Sequence, residues 1–135
     1  MTMKQLAATM KDIDICMFST IAASGQLTAR PMSNNREVEY DGNSYYFTYE
    51  DTDVVKELLA NGQVGLTFQG GKGTYLSISG KAHTHKDRAK LAEHWTKGLD
   101  EWFKEGLDTP GIVMIHVLAE QIRYWKGDEN GEIAM

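Results

Sequence analysis

The chain has 135 residues, the usual size of one domain, and no Pro-, Gly- or Ser-rich stretch divides it, so a single domain over 1–135 is expected. The formal net charge is −5, and lysine and arginine are scattered along the sequence. Nucleic acids and anionic membranes attract basic patches, so neither is expected as a partner. Apolar runs are short and Met1–Met10 lacks a signal-peptide core, so a cytoplasmic protein is expected.

The first half of the sequence predicts one helix followed by two β-hairpins. Apolar residues four positions apart indicate the helix, and β-rich segments separated by short turn sequences indicate the hairpins. The turns are Ser24-Gly25-Gln26 and Asp41-Gly42-Asn43, whose residue types suit a reversal of the chain. In chain order the elements are a helix over Met3–Lys11, a hairpin of Ile15–Ala23 with Leu27–Ser33, and a hairpin of Arg36–Tyr40 with Ser44–Tyr49.

The second half predicts four strands and two short helices. Thr52 has the residue type of an N-cap and precedes an apolar helical stripe that ends at Asn61-Gly62. The later elements are strands over Gln63–Phe68 and Thr74–His83, a helix over Asp87–Trp95, and strands over Gly111–Val117 and Gln121–Lys126. The sequence after Gly127 is polar, and a frayed tail is expected there.

Most links between these strands are too short for the crossover connection that a parallel sheet requires. The pattern therefore predicts a mainly β, α+β protein: an antiparallel barrel with short peripheral helices. A barrel of this length leaves few enclosed cavities of ligand size. A large ligand is expected at the rim or between two copies of the chain, which favours a dimer.

Several short sequence motifs occur along the chain in a characteristic order and spacing. They are Leu27-Thr28-Ala29-Arg30-Pro31-Met32, Tyr46-Phe47-Thr48, Val64–Phe68, Ser77-Ile78-Ser79-Gly80, Asp87-Arg88, Glu93-His94-Trp95, Trp102-Phe103-Lys104-Glu105-Gly106 and Tyr124-Trp125. Together they resemble the FMN-binding split-barrel proteins related to pyridoxamine 5′-phosphate oxidase, and among these the general stress protein 26 group. The resemblance covers nearly the whole chain. It implies a split β-barrel and a homodimer that holds FMN non-covalently at the interface.

The resemblance places the flavin ring beside the strand that carries Arg30-Pro31-Met32-Ser33, whose backbone would meet the polar edge of the ring. Pro31 has no N–H, so it is expected at a strand edge or a bulge, where backbone is free to face a ligand. Arg30 is a candidate partner for the phosphate or for a reduced ring, with an exposed strand charge as the alternative. Trp125 resembles the aromatic residue that closes over the flavin, and core packing explains it equally well.

The resemblance assigns the ribityl chain and phosphate to Phe47, Thr48 and the helix that follows Thr52. Free N–H groups at a helix N-terminus favour an anion, and the alternative is that Thr52 serves only as an N-cap. Related sequences commonly have lysine at the position of Val54, and here the nearest cation is Lys56. The predicted cofactor residues are Arg30, Pro31, Met32, Ser33, Phe47, Thr48, Thr52, Lys56 and Trp125.

The predicted cofactor is FMN, with FAD as an alternative, and the redox partner is a small molecule that the sequence does not identify. No side chain stands out as a general acid or base, so no catalytic residue is predicted. The function expected from the resemblance is a stress-related, flavin-dependent oxidoreductase. The alternatives are a non-enzymatic FMN or FAD binding or buffering protein and the same fold holding haem or a deazaflavin. His83 and His85 share one strand face without a recognisable third ligand, so no metal site is expected.

Overall fold

The computed structural model describes all 135 residues and contains seven strands and three α-helices. In chain order these are α1 (Met3–Met10), β1 (Ile15–Ile21), β2 (Leu27–Ser33), β3 (Asn43–Tyr49), α2 (Asp53–Ala60), β4 (Gln63–Gln69), β5 (Thr74–His85), α3 (Arg88–His94), two 3-10 helices (Lys97–Glu101 and Gly106–Asp108), β6 (Ile112–Lys126) and β7 (Glu129–Glu132). The predicted α+β class is confirmed. No helix is long and apolar enough to cross a membrane.

The strands form one antiparallel sheet in the order β2-β1-β4-β5-β6-β3, with β7 paired to β6. The sheet curls until β3 faces β1 across the core. The ring of Tyr46 on β3 meets Phe18 on β1 edge to face, with the ring centroids 5.5 Å apart. Because β2 and β3 end the strand order without pairing to each other, the barrel stays open between them. This opening is the split of a split-barrel-like fold.

The main core fills the inside of the curled sheet. Phe18, Leu66 and Ile78 are fully buried there, since alternate residues of each strand point inward. Helix α2 covers the same core with Val54, Val55 and Leu58. A smaller apolar cluster, formed by Leu91, Phe103, Ile112 and Met114, lies on the outer side of the sheet beneath α3 and the segment that follows it. The fold therefore has a second apolar layer outside the barrel as well as a core inside.

Three predictions from the sequence are wrong. Arg36–Tyr40 is a loop, because β3 takes β6 rather than this segment as its partner. The two last predicted strands are one continuous strand, β6, which is 15 residues long and pairs with β5, β3 and β7. The residues after Gly127 are not frayed, since β7 pairs with β6 and Ile133 is buried. In each case the secondary structure is determined by pairing between strands.

Candidate functional site

A cleft of about 500 Å³ opens where the sheet is split. One wall is the end of β2 with the loop that follows it, a second is β3, and the third is the segment after α3. The lining residues are Pro31, Met32, Ser33, Asn34, Asn35, Arg36, Glu37, Tyr45, Tyr46, Phe47, Thr96, Gly98, Leu99, Trp102 and Phe103. Its size is that of a typical small-molecule site.

The β2 wall has backbone N–H and C=O groups that make no hydrogen bond within the sheet. Because β2 ends the strand order and pairs only with β1, alternate N–H and C=O groups of β2 face away from the sheet. Pro31 lies on this edge strand, where its missing N–H breaks no ladder hydrogen bond, as the sequence predicts. This wall can therefore meet the hydrogen-bonding edge of a flat heterocycle.

The opposite wall is aromatic. Phe47 on β3 packs against Trp95, with ring centroids 5.2 Å apart, and Trp95 in turn packs against Phe103 at 5.9 Å. Trp102 stands at the cleft with 68% of its surface exposed. The Gly98 amide donates to the Glu37 carboxylate at 3.1 Å, which ties this segment to the loop after β2. The cleft thus has a fixed apolar wall and an exposed indole beside it.

A stack of three rings supports the β3 wall from the side. The Tyr45 ring lies between His94 of α3, at a centroid distance of 3.6 Å, and His116 of β6, at 4.7 Å. His116 Nε2 lies 2.9 Å from the Asn43 side-chain oxygen. His83 is opposite His116 in the β5–β6 ladder, so all four histidines of the chain gather on one outer face. Tyr45 also lines the cleft, which connects the stack to it.

Two histidines of this face, His116 and His85, are hard to protonate. Burial lowers the pKa of His116 below its ordinary value, and the nearby His85, His94, His83 and Lys90 lower it further. Burial also lowers the pKa of His85, with Lys90 adding to the shift and Asp87 opposing it. His116 and His85 therefore favour the neutral imidazole.

Acidification is expected to destabilise the protein partly through His116. In the unfolded chain this histidine has the ordinary histidine pKa of 6.5, whereas the folded chain binds the proton only at lower pH. Between these two values the unfolded state holds more protons, so the free energy of unfolding falls as the pH falls. Urea unfolding at several pH values from about 7.5 to about 5 measures this slope. A His116→Gln variant should show a shallower slope, and an unchanged slope would contradict the assignment.

The predicted cofactor residues divide between the cleft and other places. Four of them, Pro31, Met32, Ser33 and Phe47, line the cleft together. Thr48 lies on β3, and Lys56 is exposed on α2, both outside the cleft lining. Thr52 is at the N-cap position of α2, but its hydroxyl donates to the Tyr49 carbonyl at 2.8 Å and caps no helix N–H.

Arg30 is engaged within the protein. Its guanidinium donates to the Glu57 carboxylate at 2.7 Å and to the Thr20 hydroxyl at 2.8 Å. It also donates to the Thr28 hydroxyl and to the Phe18 carbonyl, at 3.0 and 3.1 Å. The side chains of Arg30 and Glu57 are 23% and 16% exposed, so α2 and the β1–β2 hairpin largely enclose the pair.

Trp125 lies far from β2 in its own chain. The sheet register runs from Ser33 through Ile15 on β1 and Tyr75 on β5 to Trp125 on β6, four strands away. At the usual spacing of about 4.8 Å between strands, this separation is on the order of 19 Å along the sheet. Trp125 therefore does not line the cleft of its own chain, and the Arg123 guanidinium lies over its ring at 5.3 Å.

Sequence reasoning missed several cleft residues. Tyr45, Thr96 and Gly98 carry no recognisable pattern, and they reach the cleft only because β3 and the segment after α3 pack together. Trp102 had a detectable signal in the adjacent aromatic pair Trp102-Phe103, which is unusual in a polar stretch. The structure makes both residues part of the cleft wall, with Trp102 exposed and Phe103 buried.

The curled antiparallel sheet with a cleft at its split defines a small split-barrel-like α+β protein. The family model described as pyridoxamine 5′-phosphate oxidase like matches residues 1–135. The chain belongs to this family, as the resemblance in the sequence predicts. No curated protein matches the chain.

Solved structures of similar fold include several bacterial stress proteins. A protein from Clostridium acetobutylicum related to general stress protein 26 has 22% identity and a TM-score of 0.82, over 96% of this chain and 92% of that one. General stress protein 26 from Bacillus anthracis has 17% identity and a TM-score of 0.75, over 96% and 97%. A general stress FMN/FAD binding protein from Xanthomonas citri has 23% identity and a TM-score of 0.75, over 94% and 89%. At these identities the likeness establishes the fold.

Proposed function

We propose that this protein binds a flavin, with the isoalloxazine ring in the cleft between β2 and the segment 96–103. The observation that carries the proposal is the pairing of an edge-strand backbone with an aromatic wall around about 500 Å³. A flavin ring needs both, because its edge is polar and its faces are apolar. The similarity to an FMN/FAD binding stress protein and the family membership support the same ligand class.

The residues of the cleft suit the ring better than they suit the phosphate of FMN. Ser33 and Asn35 add polar side chains to the exposed backbone of β2, and Trp102 offers a face for stacking. By contrast, the positions that the resemblance assigns to the phosphate hold an ion-paired Arg30 and a Thr52 hydroxyl turned to Tyr49. The cleft therefore suits the isoalloxazine ring. That the bound flavin is FMN, or alternatively FAD, stays a prediction from the resemblance.

A homodimer is part of the proposal. The outer face of the sheet carries apolar side chains that are exposed to solvent in the single chain. Among them are Ile15, Met17 and Tyr75, at 50%, 42% and 48% exposure. Small residues at Ala29, Gly65, Ser77 and Ser79 keep this face flat. An exposed apolar face of this kind favours a second copy of the chain. If a two-fold axis runs parallel to the strands, β6 of one copy lies over β2 of the other. The partner's Trp125 then lies beside the free edge of β2.

The chemistry proposed is oxidation and reduction of a small molecule. A bound flavin supplies electron transfer at its ring, while the protein orients the ring and excludes water. Burial raises the pKa values of Tyr45 and Tyr46, the two phenols of β3 that line the cleft, and the Glu37 carboxylate accepts a hydrogen bond from the Gly98 amide. Both phenols stay protonated at neutral pH. The site therefore offers positioning rather than proton transfer by an ionised side chain.

This lack of a general acid or base also favours a second candidate function, the storage or buffering of flavin. The two are separated by adding NADH, NADPH or a quinone to the flavin-loaded protein and following the flavin absorbance. Accelerated reduction or reoxidation supports the oxidoreductase. Tight retention of flavin without either supports the buffering protein. The absorption spectrum of the protein as purified tests haem and deazaflavin at the same time.

Replacing Trp102 with alanine is expected to weaken flavin binding about tenfold, because aromatic stacking contributes about 0.5–1.5 kcal/mol beyond the area it buries. The measurement is quenching of flavin fluorescence on titration with protein, repeated at several protein concentrations. Binding that weakens on dilution of the protein would support a site completed by the partner.

Leu59→Ala serves as the control for Trp102→Ala. Leu59 is 72% exposed on α2, outside the cleft lining, so this variant should bind flavin like the wild type. Equal affinity of Trp102→Ala and the wild type would remove Trp102 from the site. Absence of binding by the wild type to every flavin tested would refute the proposed function.

A further inference from the structure

The charge on Arg30 is neutralised inside the protein by a carboxylate held in a fixed position. Glu57 Oε1 accepts from Arg30 at 2.7 Å, from Thr20 at 2.7 Å and from Thr28 at 2.8 Å. Hydrogen bonds from Thr20 and Thr28, followed by those of Arg30 and its charge, lower the pKa of Glu57. The carboxylate is therefore ionised at neutral pH. It occupies the coordination that a ligand phosphate would otherwise find at Arg30.

The cleft itself adds no free positive charge. Its lining includes one cation, Arg36, and one anion, Glu37. Arg36 is already ion-paired with Asp14 at 2.8 Å and donates to the Lys11 carbonyl at 2.6 Å. A phosphate brings a charge of about −1.5 to −2 at neutral pH. No unpaired cation of the same chain lines the cleft to balance it.

The start of α2 brings one cation, Lys56, into a group of three carboxylates. Glu50, Asp51 and Asp53 surround Thr52, so carboxylates cluster where the helix N–H groups would attract an anion. Lys86 is paired with Glu50 at 2.6 Å. The residue at the second position of α2 is Val54, which is buried in the core and carries no charge. The acidic residues, together with the net charge of −5, oppose a phosphate here.

We infer that the Glu57–Arg30 pair, which lies outside the cleft lining but adjoins Pro31 on β2, makes this protein select a flavin without a phosphate, such as riboflavin, over FMN. The inference rests on the proposed function and names the ligand class of the same site. Glu57 acts by pairing with Arg30, so that a neutral flavin side chain is accepted while a phosphorylated one meets uncompensated negative charge. Like charges brought together at an interface weaken binding strongly, so we expect riboflavin to bind about tenfold or more tightly than FMN.

The test is a comparison of riboflavin and FMN by fluorescence quenching, with wild-type protein and a Glu57→Gln variant. Glutamine keeps the size of the side chain and a carbonyl oxygen for Thr20 and Thr28, but it leaves the charge of Arg30 unpaired. The variant should bind FMN about tenfold more tightly than the wild type, with riboflavin affinity unchanged. Rising salt should strengthen FMN binding by the wild type, because it screens the repulsion, and should leave riboflavin unaffected.

Glu129→Gln is the matched control, since it removes one negative charge from exposed β7 without contact to Arg30. It should leave both affinities unchanged. Circular dichroism and urea unfolding establish that each variant is folded, and the wild-type comparison of the two ligands needs no variant. FMN binding as tight as riboflavin binding by the wild type, or no gain in FMN affinity in Glu57→Gln, would overturn the inference and leave the proposed flavin site intact. Failure to bind riboflavin, FMN and FAD alike would overturn the proposed function instead.

Discussion

Replacing Gly80 with alanine is expected to lower the free energy of unfolding by about 3 kcal/mol, at the upper end of the usual cost of overpacking. Gly80 lies at a β-bulge between β5 and β6, where Ser79 is opposite Gln121 but Gly80 is opposite Ala119. A Cβ at this position would overlap the carbonyl oxygen and carbon of Leu118, which are backbone atoms. Relief requires that β5 and β6 move apart.

Gly71→Ala is the control for this prediction. Gly71 lies in the turn between β4 and β5, and a Cβ there would meet no atom within 4 Å. The same chemical change should therefore leave stability nearly unchanged, or raise it slightly by restricting the unfolded chain. Urea denaturation of the two variants measures the difference. Equal midpoints would show that the bulge yields to a methyl group, contrary to the close approach of β5 and β6.

Phe18→Ala is expected to cost about 3–5 kcal/mol, because it leaves a large cavity in the centre of the barrel. Phe18 is fully buried on β1, and its ring contacts Tyr46 across the core. The contact joins β1 to β3, two strands that do not pair, so its loss also loosens the curl of the sheet. Chemical denaturation with the Leu59→Ala variant as an exposed reference measures the effect. A loss below about 1 kcal/mol would mean that the core collapses to fill the space.

The second consequence of Phe18→Ala concerns the cleft. Tyr46 is held on one side by Phe18 and lines the cleft between Tyr45 and Phe47. A folded Phe18→Ala protein should therefore bind flavin more weakly than the wild type, although Phe18 does not line the cleft. Flavin affinity equal to that of the wild type would show that β3 keeps its position without this contact.

Much of the secondary structure could be predicted from local sequence. The hairpin of β1 and β2 forms around Gly25, whose φ of +86° is a conformation that glycine adopts readily. The helix after Thr52 follows from its apolar stripe, and α2 spans Asp53–Ala60. Turn residues and hydrophobic periodicity act over a few positions, so a single sequence carries this information. The resemblance added the split-barrel fold and the family.

Part of the site could be predicted in the same way. The resemblance identified Pro31–Ser33 and Phe47, and the structure brings these residues together in the cleft. It did not identify Glu57, which is 27 positions from Arg30 and lies on another element. A charged residue on an amphipathic helix is ordinarily solvated, so no pattern in the sequence indicates that Glu57 pairs with an arginine on a strand.

Local periodicity, turn residues and the order of the motifs thus determined the α+β class, the β1–β2 hairpin, helix α2 and the strand that carries Pro31. The tertiary structure decided which strands pair over long distances, as with β3 and β6, and ordered the polar end of the chain as β7. It also decided the state of the key side chains: Arg30 paired with Glu57, and Tyr45 stacked between His94 and His116. The reason is physical, since such contacts depend on the register and curvature of the whole sheet, which no short stretch of sequence specifies.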